Sequence, residues 1–200
     1  MNHVLVTGFE PWGIYTRNPS QLVAESLHGE EVAGRRIEAR VLPVSYRGVD
    51  SELPPLLEER PALILHLGLH PSAYAVHVET FAVNVADAGP DSEGVVKRGE
   101  PVVAGGPAAY RATIPVYRVV EAVRKKGIPA RVSYHAGTFL CNYLFYRSLH
   151  LAGSGTRVGF IHLPRTPDMA LDGSAPVMPL GMEVEAVREA IGAALGRLTP

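Results

Sequence analysis

Pro61-Ala62-Leu63-Ile64-Leu65-His66-Leu67 is a continuous apolar run interrupted by a single histidine. Unbroken hydrophobicity of this length, rather than alternation, is the pattern of a central strand buried on both faces of a parallel sheet. Upstream, Val4–Val6 reads as a short buried strand ending at Thr7-Gly8, and Ile37–Val44 alternates as another. Asn18-Pro19-Ser20 predicts a helix running to about Leu27, because Asn is a good N-cap and Pro is preorganised for the first helical position. A helix is also predicted over Val49–Glu59, although Pro54 and Pro55 fall inside it.

Downstream, Tyr74–Val85 alternates and is β-like, while residues 86–109 are rich in Gly, Pro and Asp and read as an extended loop or short hairpin. Pro115–Lys126 has helical spacing, with Val116, Val119, Val120 and Val123 on one side and Gly127 beyond its end. Ala130–Tyr134 reads as a strand, Phe139–Leu151 as a helix, Val158–Leu163 as a strand and Met182–Leu198 as the closing helix. Strands alternating with helices predict an α/β fold: a three-layer sandwich with a mostly parallel twisted central sheet and helices on both faces. There is no internal repeat, and residues 1–200 are read as a single domain.

Bulk properties narrow the function classes. The 19 basic and 20 acidic residues give a net charge of −1, with no electrostatic footprint for nucleic acid or an anionic membrane. No apolar run approaches the roughly 20 residues needed to span a bilayer, and the N-terminus lacks a signal-peptide pattern. Cys141 is the one cysteine, so no internal disulfide can form. These features together predict a cytoplasmic protein.

That cysteine lies in His135-Ala136-Gly137-Thr138-Phe139-Leu140-Cys141-Asn142-Tyr143, where a strand gives way to a helix. A junction of this kind places a side chain at the carboxyl edge of a parallel sheet, where open α/β folds build their sites. Helix N-terminal amides favour a thiolate and can hold an oxyanion. A free Cys is also among the most buried and inert residue types, and composition alone favours that bland role. A partner base shifts the balance: His162, in Gly159-Phe160-Ile161-His162-Leu163-Pro164, ends the last predicted strand. His66 reads as a satisfied core histidine, and the spacing of His66, His70 and His77 matches no metal motif. Glu79 sits in a half-apolar β-like run, and two roles fit it: orienting an imidazole, or facing solvent on the outer side of its strand.

Further pieces fall in a telling order: Val6-Thr7-Gly8-Phe9-Glu10-Pro11-Trp12-Gly13, Asn18-Pro19-Ser20, Glu79 to Asn84, Pro90-Asp91, Gly105 to Tyr110 and Ile114-Pro115. With Ala136 to Tyr146 and Gly159 to Pro164, they resemble the pyroglutamyl-peptidase (pyrrolidone-carboxylate peptidase) family of cysteine peptidases. The most specific piece is Ala-Gly-Thr-Phe-x-Cys-Asn. The resemblance implies a Cys141–His162–Glu79 triad. It implies an aromatic slot for a flat lactam carried by Phe9 and Trp12 and arranged by Asn18, with Phe139 and Leu140 lining it before the nucleophile. It further implies peptides with N-terminal pyroglutamate as substrates, no metal or other cofactor, and a homo-oligomer, either tetramer or dimer.

Two segments depart from the family pattern. Bacterial members usually carry Gly-Gln-Ala-Gly-Gly-Arg where this chain has Gly68-Leu69-His70-Pro71-Ser72-Ala73. Their Ala-Arg-Ile-Pro-Asp is replaced by Ala88-Gly89-Pro90-Asp91, which lacks the Arg and is one residue shorter. Both changes are expected near the substrate pocket. They leave open a different enzyme on the same scaffold, such as a nucleoside phosphorylase, or a binding protein of altered specificity. Against the phosphorylase, Thr7-Gly8-Phe9-Glu10-Pro11 is neither a P-loop nor a GxGxxG turn.

Overall fold

The 61–67 run forms the heart of a seven-stranded sheet in the computed structural model, which describes residues 3–196. In chain order the elements are β1 (His3–Phe9), α1 (Pro19–Leu27), β2 (Glu31–Val32), β3 (Arg35–Leu42), α2 (Tyr46–Glu58), β4 (Leu63–Leu69), β5 (Val76–Glu79) and β6 (Phe81–Val83). There follow β7 (Ala86–Ala88), β8 (Lys97–Glu100), β9 (Ala109–Arg111), α3 (Val116–Lys125), β10 (Ala130–Ser133), α4 (Leu140–Leu151), β11 (Arg157–Leu163) and α5 (Leu180–Ala194). The sheet order is β10-β5-β11-β4-β1-β3-β2. Strands β11, β4, β1 and β3 are mutually parallel, whereas β5 runs antiparallel to β11, and β2 to β3.

Val4, Leu5 and Val6 are all fully buried, as are Leu63, Ile64 and Leu65, so both faces of the sheet are covered. Helices α1 and α3 pack against α5, and α2 packs against α4. Each fully buried Leu or Ile in this core contributes about 2 kcal/mol. The sheet and its helices form the mixed α/β sandwich predicted above. Among the described residues no helix is long and apolar enough to cross a membrane.

Local chemistry explains the element ends. Asn18 caps α1 as expected, its Oδ1 accepting from Ser20 N at 3.0 Å, with Pro19 in the first turn. Helix α2 starts at Tyr46, earlier than the predicted Val49, because Ser45 Oγ accepts from Gly48 N and supplies a cap. Pro54 and Pro55 are tolerated within it. The carbonyls they leave unpaired belong to Asp50 and Ser51, which are exposed and open to water.

Three predicted elements need correction. The run at 74–85 is not one strand. It breaks at Thr80, whose N–H donates to Ser133 O and whose carbonyl accepts from Ala112 N, sending β5 into the main sheet and β6 to pair with β9. Within 86–109, β7 and β8 form a short antiparallel pair, in keeping with the short hairpin expected there. Phe139 is extended and caps α4 rather than belonging to it. The closing helix begins at Leu180, before the predicted Met182, and gives way to a cap at Leu195; the predicted end at Leu198 lies outside the described residues.

Candidate active site

Cys141 is the second residue of α4 and is half-buried. Its route there differs from the expected one. Because β5 is antiparallel to β11, and β10 is parallel to β5, β10 does not end at the carboxyl edge shared by β4 and β11. Residues 134–139 instead carry the chain back to that edge. This segment is pinned to β7: Thr138 Oγ1 donates to Asp87 O at 2.6 Å, and Asp87 N donates to Thr138 O at 3.0 Å. Gly137 turns it with φ +82°, where a side chain would be strained. Asn142, fully buried, clamps α4 to β6 through Val83 N, Val83 O and Val85 O.

His162 lies near the carboxyl end of β11, opposite Gly68 of β4 on one side and His77 of β5 on the other. Glu79 follows His77 by two residues, so it shares that face of the sheet and reaches His162 diagonally. Glu79 Oε1 lies 2.8 Å from His162 Nδ1. With only 1% of its surface exposed, Glu79 does not face solvent, which removes one of the two roles open to it. Cys141 lies close enough to the same imidazole to favour its charged form. Burial opposes a charge on His162, but Cys141 and Glu79 outweigh it and raise the imidazole pKa to about 9. Phe160 packs on the ring at 4.8 Å between centroids, and His70 meets it edge-on at 5.7 Å.

The remaining histidines separate cleanly. His66 is fully buried, with Nδ1 2.7 Å from Thr7 Oγ1 and Nε2 2.7 Å from Ser148 Oγ; burial lowers its pKa to about 3. It is the satisfied core histidine expected. Burial, then His70, lowers His77 to about 4.

Beside Cys141 opens a cavity of about 210 Å³. Phe9, Trp12, Asn18, Phe139 and Leu140 all line it, as does Cys141 itself. The rings of Trp12 and Phe139 tilt together at 5.4 Å. Asn18 holds the entry loop by donating from Nδ2 to Glu10 O at 3.0 Å. Tyr15, Val44, Leu69 and Pro71 complete the lining. Sequence reasoning did not single out Tyr15 or Val44, whereas Leu69, the last residue of β4, and Pro71 lie in the altered segment expected near the pocket. The 69–73 segment thus reaches the cavity. Residues 88–91 are not part of its lining. They adjoin it, however: buried Asp91 ties a turn by accepting from the N–H groups of Tyr46, Glu93 and Val95, and Ser92 N donates to the carbonyl of the lining residue Val44. A larger depression, about 560 Å³, lies between the end of α2 and residues 151–156, and no histidine or cysteine lines it.

Known proteins match this arrangement along nearly the whole chain. The pyrrolidone-carboxylate peptidase of Thermococcus litoralis is 38% identical, covering 99% of this chain and 95% of its own length. That of Pyrococcus furiosus is 41% identical, covering 98% and 99%. The crystal structure of pyrrolidone carboxyl peptidase from Thermus thermophilus superposes with a TM-score of 0.91 at 41% identity, covering 95% of this chain and 99% of that one. The family model for pyroglutamyl peptidase matches residues 2–197, and the chain belongs to that family.

Proposed function

We propose that the chain hydrolyses the amide bond after an N-terminal pyroglutamate, with Cys141 as nucleophile, His162 as base and acid, and Glu79 as the group that orients His162. The observation that carries this reading is the Glu79–His162–Cys141 alignment at the mouth of an aromatic cavity. Glu79 accepts from Nδ1–H, which leaves Nε2 for the sulfur. His162 takes the thiol proton and becomes imidazolium, the sulfur attacks the pyroglutamyl carbonyl carbon, and the carbonyl π pair moves onto oxygen. No side chain caps α4, so its first-turn amides are available for that oxyanion. Collapse breaks the C–N bond while the imidazolium protonates the departing amine, leaving a thioester. Water then attacks the thioester as His162 takes its proton, and Cys141 leaves as pyroglutamate forms.

The slot suits a flat, neutral lactam. Burying a charged α-ammonium among Phe9, Phe139 and Leu140 without a counter-charge is costly, so an ordinary N-terminus is disfavoured. Leu69 and Pro71 support a second reading, in which the same machinery acts on a related cyclic acyl group.

The test compares a pyroglutamyl-fluorophore amide with its alanyl counterpart. Wild type should prefer the former by at least about 100-fold, and Cys141→Ala should abolish turnover. An alanine variant that retains full activity rejects the mechanism. Preference for another cyclic acyl group selects the second reading.

A further inference from the structure

Four residues of the cavity wall belong to regular structure, but Trp12 and Tyr15 do not. Phe9 ends β1 and its N–H donates to Ser20 Oγ; Leu69 ends β4; Leu140 and Cys141 begin α4. Trp12 and Tyr15 belong to the 10–17 loop, which has no regular structure and is joined internally by Tyr15 N donating to Trp12 O at 3.3 Å. Ties from outside hold this loop. Arg165 Nη2 donates to Tyr15 Oη at 3.1 Å, and the same guanidinium lies 5.6 Å from the centre of the Tyr15 ring. Arg17 pairs with Asp168 at 3.1 Å.

Arg165 comes three residues after His162. Its backbone is fixed in an isolated bridge with Val177, and its carbonyl accepts from Met178 N. Its side chain therefore links the strand that bears the imidazole to the loosest wall of the slot. An Arg whose planar group both hydrogen-bonds a phenol and faces its ring restricts that ring more than either contact would alone. The exposed Arg17–Asp168 pair is a weaker tie, open to screening by salt.

We infer that Arg165 is a positioning residue for substrate binding: by holding Tyr15 it keeps the 10–17 loop closed as the outer wall of the lactam slot. The inference rests on the pyroglutamyl reading and adds to it a determinant of affinity that lies outside the cavity lining. It assigns Arg165 to binding and not to the chemical step, since its guanidinium is directed to Tyr15 and the proton transfers belong to His162.

Arg165→Met keeps the apolar stem and removes the charge and its hydrogen bonds. Tyr15→Phe keeps the ring and removes the hydroxyl. Steady-state kinetics with the pyroglutamyl amide, and inhibition by 2-pyrrolidone as a probe of the slot alone, are measured for wild type, both single variants and the double variant. Arg165→Met should raise KM and the 2-pyrrolidone Ki together by about tenfold, as expected for losing a charge-assisted hydrogen bond, with kcat within about twofold. Tyr15→Phe should raise both by about threefold, and the double variant should match Arg165→Met. Arg165→Lys should recover part of the loss. Unchanged KM and Ki in Arg165→Met, a fall in kcat alone, or additive effects in the double variant overturns the inference while leaving the pyroglutamyl reading intact. A wild type that neither cleaves the amide nor is bound by 2-pyrrolidone overturns both.

Discussion

Gly68 lies directly beneath the sulfur of Cys141: a Cβ at this position would sit 2.9 Å from Sγ and 2.9 Å from Phe160 Cζ. Gly68 is also the register partner of His162 across β4 and β11. The absence of a side chain there lets the helix start bearing Cys141 settle onto the sheet at the level of the imidazole.

Gly68→Ala should therefore displace the sulfur, because the Phe160 ring is itself packed and fully buried. Misplacement approaching 1 Å costs about 100-fold in rate, and overpacking costs about 1–3 kcal/mol in stability. Both kcat and the thermal midpoint should fall. A variant with wild-type kcat would show that the sulfur's seat is not what this glycine protects.

The pH profile should report the His162 environment. With the imidazole pKa raised to about 9, the protonated ring that the proposed mechanism offers to the leaving amine persists through neutrality and is lost above that value. In Glu79→Gln a cause of the raised pKa is gone, so the alkaline limb of kcat/KM should move to lower pH. The rate should also fall, by less than the roughly 10²–10⁴-fold expected for His162→Ala. An alkaline limb unmoved by Glu79→Gln would separate Glu79 from the imidazole's charge.

Features written in local sequence were legible, and those made by distant contacts were not. The apolar run of β4, the Asn18-Pro19 start of α1 and the positions of Cys141 and His162 near element ends all follow from neighbours along the chain. The break at Thr80 does not, because its cause is a pair of hydrogen bonds to Ser133 and Ala112 that interrupt a run with good alternation. The reversed direction of β10 depends on β5 and was equally hidden. Resemblance supplied Phe9, Trp12, Asn18, Phe139 and Leu140, all of which line the cavity, but not Tyr15 or the seat at Gly68. It placed the 88–91 change near the pocket, and there Asp91 braces a turn beside the lining residue Val44 without lining the cavity itself.

Asn142 should matter for stability as much as for the site. Its amide satisfies three backbone groups of Val83 and Val85 from a fully buried position. Asn142→Leu leaves them unpaired, at about 1–3 kcal/mol for each group that water cannot reach. The urea midpoint should drop sharply, and turnover with it, since β6 begins two residues after Glu79. A midpoint within error of wild type would mean that the chain re-pairs these groups elsewhere.

Glu183 should give stability a pH slope unrelated to catalysis. It lies in the first turn of α5, is fully buried, and neither carboxyl oxygen has a hydrogen-bond partner among the described residues. Burial raises its pKa from 4.5 to about 9, so the folded chain holds a proton there that the unfolded chain releases above 4.5. The stabilisation relative to the unfolded state is complete below pH 4.5 and is lost as pH rises toward 9, by up to about 1.4 kcal/mol per unit. Glu183→Gln keeps the shape and does not titrate. Its stability relative to wild type should grow steadily between pH 5 and 9, while below 4.5 the difference should be constant and reflect only amide against acid. Two stability curves running parallel across that range would show that the carboxyl finds a partner or water when it ionises.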